Sequence, residues 1–400
     1  MKRAALALFA TVFSVVCWGQ QSDYTIVVLP DTQYYSAKFP ATFKAQTQWI
    51  VDHKATDNIQ LVIGVGDIVD GGGSITQWTN ADVAVDKLDG VVPYVFPLGN
   101  HDYDKGDKAP LKRLVANFNK YFGPSRYQGK GYYGGNYKGS NENFFAVVTL
   151  GGKDTLIVLL EFNPRPGATA WAKNVIQNNQ DKPVIIATHT YGYGSGRIST
   201  CDSTASEGYG LNEDNDGQEL WDNLVSQYAN ITMVLSGHVT AFNGVGRRSD
   251  FGINGNRVNQ IVSDYQAYAN GGNGYLRIMR FHPSLNRVDV ETYSPTLNTK
   301  LTDGENQFSL TLKSSPSGTT ASISGNVTNN TACSVLSGVT ISDGNGHSTL
   351  TDASGNYTLS NLAPGRVTLT ASKSGFFSQS KATLVQPGKT AAMKFSLKIK

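Results

Sequence analysis

The stretch "PYVFPLGNHD" at residues 93–102 decides the fold that we expect for this chain. Its apolar part has the character of a buried strand, and it runs directly into three polar side chains, Asn100, His101 and Asp102. Four other apolar runs end in the same way: "TIVVLPD" at 25–31, "IQLVIGVGD" at 59–67, "PVIIATH" at 183–189 and "ITMVLSGH" at 231–238. Because the carboxyl ends of such strands share one rim in open α/β sheets, we expect these polar residues to meet there.

Helical patterns separate these runs, for example "ATFKAQTQWIVDHK" at 41–54, "LKRLVANFNKYFG" at 111–123 and "GQELWDNLVSQY" at 217–228. Strands and helices that alternate at this spacing predict an α/β layer structure. Three more strand-like runs, at 259–265, 275–281 and 287–294, follow without helices and suggest a second sheet. The expected fold class is therefore α/β (α+β), a two-sheet sandwich flanked by helices.

The N-terminal segment predicts export. Residues 1–19, "MKRAALALFATVFSVVCWG", join a basic start to a short apolar stretch, which is typical of a signal peptide. The stretch is short for a membrane span, so we expect no transmembrane segment and a secreted or periplasmic protein. The residues before Cys17 fit lipidation poorly, which makes a lipoprotein the less favoured alternative. Cys201 and Cys333 would remain after cleavage, and two distant cysteines do not make a disulfide framework.

The length and net charge of the chain limit the number of domains and the classes of partner that we expect. The 400 residues are enough for two domains, and the formal net charge is +3. Removal of the basic residues at positions 2 and 3 would leave about +1. This balance gives no argument for nucleic acid or an anionic membrane as the main partner.

The composition changes after residue 312. "KSSPSGTT" at 313–320 is typical of a linker, and short alternating strands with Gly turns at 321–400 predict a small β-sandwich. This part resembles the carboxypeptidase-regulatory-like modules of exported bacterial proteins, mainly through "TDASGNYTLSNLAPGRVTLTASKSGF" at 351–376. We expect a first domain at 23–312 and a second that contacts glycan or protein.

Carboxylate, amide and imidazole groups at the rim form a mixed ligand set for divalent metals. Taken singly, an Asp after a strand is more often a helix cap or turn former, and a lone His there is more often a core residue. The ordered set Asp…Gly-Asp-x-x-Asp…Gly-Asn-His-Asp…His…Gly-His is more specific. Over about 270 residues it resembles the calcineurin-like metallophosphoesterases, most strongly in "GNHD", "GDIVDGG" and "LSGH".

The resemblance implies a site for two divalent ions. Asp67 would bridge both ions, and Asp31 would hold the first; the second ion's shell would be completed by Asn100, His189 and His238. Two ions would polarise the phosphoryl oxygens, supply the nucleophile and offset transition-state charge. His101 would protonate the leaving group, oriented by Asp102.

Two positions depart from the family pattern. Asp-x-His reads "DTQ" here and Gly-His-x-His reads "GHVT", so Gln33 and Thr240 replace two histidines of the first ion. Oxygen ligands at this position favour Mn²⁺, with Mg²⁺, Ca²⁺, Fe and Zn²⁺ as alternatives. Three outcomes stay open: two working ions, one tight and one loose ion, or an inactive site.

Substrate contacts are expected from Asn100 and from three residues that follow strands near the rim: Arg165, Tyr191 and Arg197. An arginine there could pair with a phosphate group, although an ordinary surface arginine fits equally. The function that we expect is an exported metal-dependent phosphoesterase acting on a mono- or diester. The alternative is a non-catalytic metal-containing protein attached to glycan or protein through its sandwich. His101 and Asp102 favour the enzyme, because a binding protein needs no proton donor.

Overall fold

The structure is a computed structural model that describes residues 21–199, 209–211, 214–313 and 320–400. The predicted signal peptide and most of the predicted linker lie outside the described residues. None of the helices within these described ranges is long and apolar enough to cross a membrane.

The first domain contains most of the secondary structure. Its strands are β1 Tyr24–Leu29, β2 Ile59–Gly64, β3 Tyr94–Val95, β4 Tyr133–Tyr137, β5 Ser140–Leu150, β6 Lys153–Leu160, β7 Val184–Thr188, β8 Gly192–Tyr193, β9 Gly196–Arg197, β10 Ile231–Ser236, β11 Val245–Phe251, β12 Arg257–Ser263, β13 Leu276–His282, β14 Arg287–Ser294, β15 Thr299–Leu301 and β16 Phe308–Thr311. Its helices are α1 Gln33–Lys38, α2 Pro40–His53, α3 Ile75–Val85, α4 Ala116–Phe122, α5 Pro124–Tyr127, α6 Pro166–Gln177, α7 Gly217–Asn223 and the single turn α8 Ala269–Gly272.

Two large sheets pack face to face, which confirms the expected sandwich. The first has the order β15-β14-β13-β1-β2-β3, with β16 beside β14, and the second has the order β11-β12-β10-β7-β6-β5-β4. The sequence suggested that the late strands form a sheet of their own, but they do not. β12 pairs with β10 in the second sheet, whereas β13 pairs antiparallel with β1 in the first. Each late strand thus covers an edge that its sheet would otherwise leave open.

Strand β6 shows how the core is divided. Its alternating side chains face opposite ways, as a period of two requires. Ile157 and Leu159 belong to the core between the sheets, whereas Leu156, Val158 and Leu160 pack under α6 and α7. The second sheet is therefore buried on both faces, and its strands are near-continuous apolar runs for that reason.

Capping side chains determine where several of the helices begin. The side chain of Ser74 caps α3, and Asp216 forms a capping box with Glu219 at the start of α7. The helix predicted at 111–123 begins only at Ala116. The Asp104 carboxylate accepts hydrogen bonds from the first two amides of α4, those of Ala116 and Asn117. The residues just before Ala116 therefore form a loop instead of a helical turn.

The C-terminal residues form the predicted all-β sandwich. Its strands are β17 Ala321–Asn329, β18 Thr340–Ser342, β19 Ser348–Leu350, β20 Asn356–Leu362, β21 Gly365–Ser372, β22 Gln379–Val385, β23 Thr390–Ala392 and β24 Phe395–Leu397. One sheet has the order β20-β17-β23, with β24 beside β17, and the other has the order β19-β18-β21-β22. Lys381 on β22 forms an ion pair with Asp222 of α7. Cys333 is disulfide-bonded.

Candidate active site

Five strands, from both sheets, bring the predicted polar residues to one rim. Asp31 follows β1, Asp67 follows β2 and Asn100 follows β3 in the first sheet, and His189 follows β7 and His238 follows β10 in the second. Asp31, Asp67, Asn100 and His189 are buried, and His238 is half-buried. The site therefore depends on the packing of one sheet against the other.

Asp67, His189 and His238 form the centre of the rim. Asp67 Oδ2 is 3.2 Å from His189 Nε2, and His238 Nδ1 is 3.1 Å from the same nitrogen. The ligand atoms of the three residues all lie within 4.8 Å of one another. One carboxylate and two imidazoles at this separation are a ligand set for a divalent metal ion.

Backbone contacts orient these side chains. His189 Nδ1 lies 2.9 Å from the carbonyl oxygen of Val65, so this nitrogen carries the proton and Nε2 keeps its lone pair for a ligand. The amide of His238 donates to Asp31 Oδ2 at 3.0 Å. This bond ties the end of β10 in the second sheet to the end of β1 in the first.

Close backbone approach and strain mark the same positions. A Cβ on Gly99 would lie 2.1 Å from Asp67 Oδ1, and a Cβ on Gly237 would lie 2.0 Å from Asp31 Oδ1, so glycine is required at both. Asp67 and His238 have φ angles of +48° and +74°, in the region that residues other than glycine rarely adopt. Strain at two predicted ligands is typical of a functional site.

Two buried amide oxygens at the rim have no hydrogen-bond partner in the part of the chain that the structure describes. Gln33 and Asn100 are both 1% exposed, and no hydrogen bond reaches Gln33 Oε1 or Asn100 Oδ1 among the described residues. The nitrogen of the Gln33 amide donates to Asp70 Oδ1 at 3.2 Å, which directs its oxygen elsewhere. Buried polar atoms without partners are uncommon, and a bound cation would satisfy both oxygens.

Thr240, the other predicted ligand of the first ion, has an exposed side chain. Its carbonyl accepts the amide of Gly244 at 3.0 Å, which closes a tight turn after His238. Of the two departures from the family pattern, Gln33 faces the buried rim and Thr240 lies at the surface.

The electrostatics of the rim also suit a cation. Burial opposes ionisation of Asp67, but the neighbouring rings of His189 and His101 outweigh it and lower the pKa of Asp67 to about 2. Burial and the His189 ring lower the pKa of His238 to about 3, so the His238 ring is neutral and can bind a metal. Burial raises the pKa of Asp31 well above its usual value, and nearby carboxylates raise it further. Divalent cations would relieve this repulsion, so the residues present fit the metal ions that the sequence implies.

The predicted contact between His101 and Asp102 is wrong. Asp102 Oδ1 accepts the amide of Val69 at 3.0 Å, and Asp102 Oδ2 accepts the amide of Gly99 at 2.8 Å. The His101 ring is held by Asp70 instead, with Nδ1 2.9 Å from the Asp70 carbonyl oxygen. Asp102 therefore joins the loops after β2 and β3, because its short side chain reaches backbone amides and not the ring next to it.

The other three residues predicted to contact the substrate, Arg165, Tyr191 and Arg197, bind neighbouring groups of the protein in this structure, and their contact with a substrate stays a prediction. Arg165 binds the carboxylates of Glu161 and Glu142, at 2.8 Å and 3.1 Å. Tyr191 and Arg197 are buried and both donate to Gln260 Oε1, at 3.0 Å and 2.7 Å. Arg197 also stacks on Trp221, with 3.8 Å between the guanidinium carbon and the ring centre. These side chains stabilise the domain.

Sequence reasoning missed three residues around the histidines. The ring centre of Phe162 is 5.3 Å from that of His238, and Tyr209 Oη is 3.5 Å from His238 Nε2. Asp264, which is fully buried, follows β12. An apolar run that ends in aspartate, "NQIVSD" at 259–264, was the available signal for Asp264. No motif marks Phe162 or Tyr209.

With the site described, comparison with known proteins identifies its class. The calcineurin-like phosphoesterase family matches residues 24–241, and the carboxypeptidase regulatory-like domain matches residues 322–398. The chain belongs to the calcineurin-like phosphoesterase family and carries a carboxypeptidase-regulatory-like module at its C-terminal end.

Individual relatives are more distant or longer. The uncharacterized protein YvnB of Bacillus subtilis (strain 168) is 33% identical over 306 residues, which are 73% of this chain and 22% of that protein. This chain thus spans about a fifth of that relative's length. The purple acid phosphatase PPD1 from yellow lupin seeds aligns with 74% of this chain and 55% of its own, at 13% identity and a TM-score of 0.44. GAP50 of Plasmodium, the anchor in the inner membrane complex, aligns with 73% of this chain and 90% of its own, at 14% identity and a TM-score of 0.42.

Proposed function

We propose that this protein is an exported phosphoesterase that hydrolyses a phosphate mono- or diester with the help of two divalent ions. The observation that carries the proposal is the pair of buried, unpartnered oxygens of Gln33 and Asn100 on a rim lined by Asp31 and Asp67. Hydrogen-bond acceptors without donors beside buried carboxylates are what hard cations bind. When bound, two such ions polarise the phosphoryl oxygens of a substrate and activate the attacking water.

His101 is the proton donor in this proposal. Its Nδ1 donates to the Asp70 carbonyl oxygen, and its other ring nitrogen, Nε2, is 3.5 Å from Asp107 Oδ2. Burial lowers the pKa of His101, but Asp67, the Asp70 carbonyl and Asp107 outweigh it and raise the pKa above the usual value. The raised pKa keeps the ring protonated to a higher pH than usual, and a protonated ring can give its proton to the departing oxygen.

The two ions would differ in affinity. Asp67, Asn100, His189 and His238 would hold the tighter ion, and Asp31, Asp67 and Gln33 would hold the weaker one. Because this weaker set contains only oxygen ligands, we propose Mn²⁺ as its natural occupant.

Export and attachment belong to the same proposal. The disulfide at Cys333 fits an oxidising compartment, as the predicted signal peptide does. The C-terminal sandwich would hold the enzyme to a glycan or protein surface.

Hydrolysis of bis(4-nitrophenyl) phosphate and 4-nitrophenyl phosphate, each with added Mn²⁺, tests the proposal. Chelated protein should be inactive, Mn²⁺ should restore the rate, and elemental analysis should find about two ions per chain. The control variant Asp67→Asn should bind fewer ions and lose turnover. Metal binding without turnover on either ester would favour the non-catalytic alternative, and the absence of bound metal would refute both functions.

A further inference from the structure

Asp264 occupies a position on the rim that the family pattern does not use. β12, which it follows, runs parallel to β10, and Ser236 lies opposite Val262 in the register. His238 lies two residues after Ser236, and Asp264 lies two residues after Val262. The register thus places Asp264 beside the strand end that carries a predicted metal ligand.

The carboxylate of Asp264 is buried, and no basic side chain among the described residues pairs with it. It is 0% exposed, and the hydrogen bonds that the described residues give it come from Gln266, whose backbone amide lies 2.9 Å from Oδ1 and whose side-chain amide lies 3.2 Å from Oδ2. No ion pair to Asp264 exists within the described ranges. A carboxylate has about four acceptor positions, so about half of them remain open.

The strand end beside Asp264 is bonded to Asp31, a predicted ligand of the first ion. The backbone amide of His238, next to Asp264 in the register, donates to Asp31 Oδ2 at 3.0 Å. Buried carboxylates that repel each other are costly unless a cation lies between them.

Thr240 stands where the family pattern has a histidine, and the turn that contains Thr240 is bonded to Asp264. The amide of Asp264 donates to the carbonyl of Gly244 at 2.7 Å, and the amide of Gly244 donates to the carbonyl of Thr240 at 3.0 Å. A Cβ on Gly244 would meet the Asp264 carbonyl oxygen at 1.3 Å, so this packing requires glycine. Thr240 is exposed at one end of this pair of hydrogen bonds, and Asp264 is buried at the other.

We propose that Asp264 supplies the oxygen ligand that the first ion lacks, in the role that Thr240 leaves open. The inference rests on the proposed two-ion function and deepens it. It makes the first position a carboxylate-rich site built by Asp31, Asp67, Gln33 and Asp264. Such a site selects hard divalent cations such as Mn²⁺ over Zn²⁺.

Calorimetric titration of the full chain with Mn²⁺ after chelation tests the assignment. Asp264→Asn should weaken the looser ion by about 10-fold or more and leave the tighter ion unchanged. Asp303→Asn is the matched control, because Asp303 also accepts the amide two residues on, from Glu305, and a side-chain amide, from Asn306, at 3.0 Å and 2.8 Å. This control should titrate like the parent.

Thermal unfolding separates a ligand from a turn former. Without metal, Asp264→Asn should melt at the same temperature as the parent or higher, because a repelled buried charge is gone. Its gain in melting temperature on adding Mn²⁺ should be smaller than the parent's. A metal-free melting temperature below the parent's, with both Mn²⁺ affinities unchanged, would show a structural role and overturn this inference alone. A parent that binds no Mn²⁺ would overturn both the inference and the proposed function.

Discussion

Replacement of Asp102 by alanine decides whether this carboxylate joins the rim loops or orients His101. Its two oxygens accept the buried amides of Val69 and Gly99 at 3.0 Å and 2.8 Å. Each buried amide that loses its acceptor costs about 1–3 kcal/mol. Part of this loss is offset, since burial and repulsion from Asp67 raise the pKa of Asp102 to about 7. We therefore expect Asp102→Ala to lower the free energy of unfolding by about 2–4 kcal/mol and the melting temperature by about 3–7 °C.

Thermal unfolding at pH 8.5, followed by circular dichroism with and without metal, measures this effect. Asp102→Asn, which keeps one acceptor oxygen, should lose about half as much stability. Asp104→Ala is the matched control, because Asp104 also accepts two backbone amides, at 2.9 Å and 3.0 Å, but at the start of α4. It should lose about 1 kcal/mol and keep its turnover. If Asp102→Ala melts within 2 °C of the parent, and the pH profile of turnover loses the limb due to the acid, Asp102 acts through His101 after all.

Three further outcomes are expected. His101→Gln should lower turnover on an alkyl phosphate ester by about 10²–10⁴-fold and affect a nitrophenyl ester less, and equal rates on the alkyl ester would remove the acid role. The chelated protein should become more stable as the pH falls from 8 to 6, because burial raises the pKa of Asp102 and of Asp264 to about 7 and the folded state therefore binds more protons than the unfolded chain. Melting curves recorded between pH 8 and pH 6 would measure this rise in stability. A fall in stability over this range would mean that His238, which the fold keeps neutral, contributes more than these two carboxyl groups. A chain ending at Lys313 should keep its hydrolytic rate on a small substrate, and a folded but inactive product would show that the sandwich completes the site.

The strands and most of the rim were predictable from the sequence because both follow from one pattern. An apolar run identifies a buried strand, and the polar residue that ends it lies at the rim whatever its neighbours are. Asp31, Asp67 and His189 were found in this way. Asp264 satisfies the same pattern, but it belongs to no motif and was therefore passed over.

The direction of a side chain in a loop was not predictable. Arg165 and Arg197 follow strands near the rim, but Arg165 binds the carboxylates of Glu161 and Glu142, and Arg197 donates to the side-chain oxygen of Gln260. Asp102 likewise lies next to His101 in sequence, but it accepts the amide of Gly99 in its own loop and the amide of Val69 in the loop after β2. Sequence neighbours identify which groups are near a site, and only the packing of both sheets determines which group each one meets.

The pairing of β1 with β13 bears on the order in which the protein is assembled. Tyr24 lies opposite Phe281, so β1 waits for about 250 further residues to be synthesised before its sheet is complete. The rim draws on strands from both ends of this interval and cannot form earlier. A metal ion would therefore be bound only after nearly the whole domain has been made. If the chain is exported as we propose, the ions present where it finishes folding, more than those plentiful where it is synthesised, would decide what the site contains.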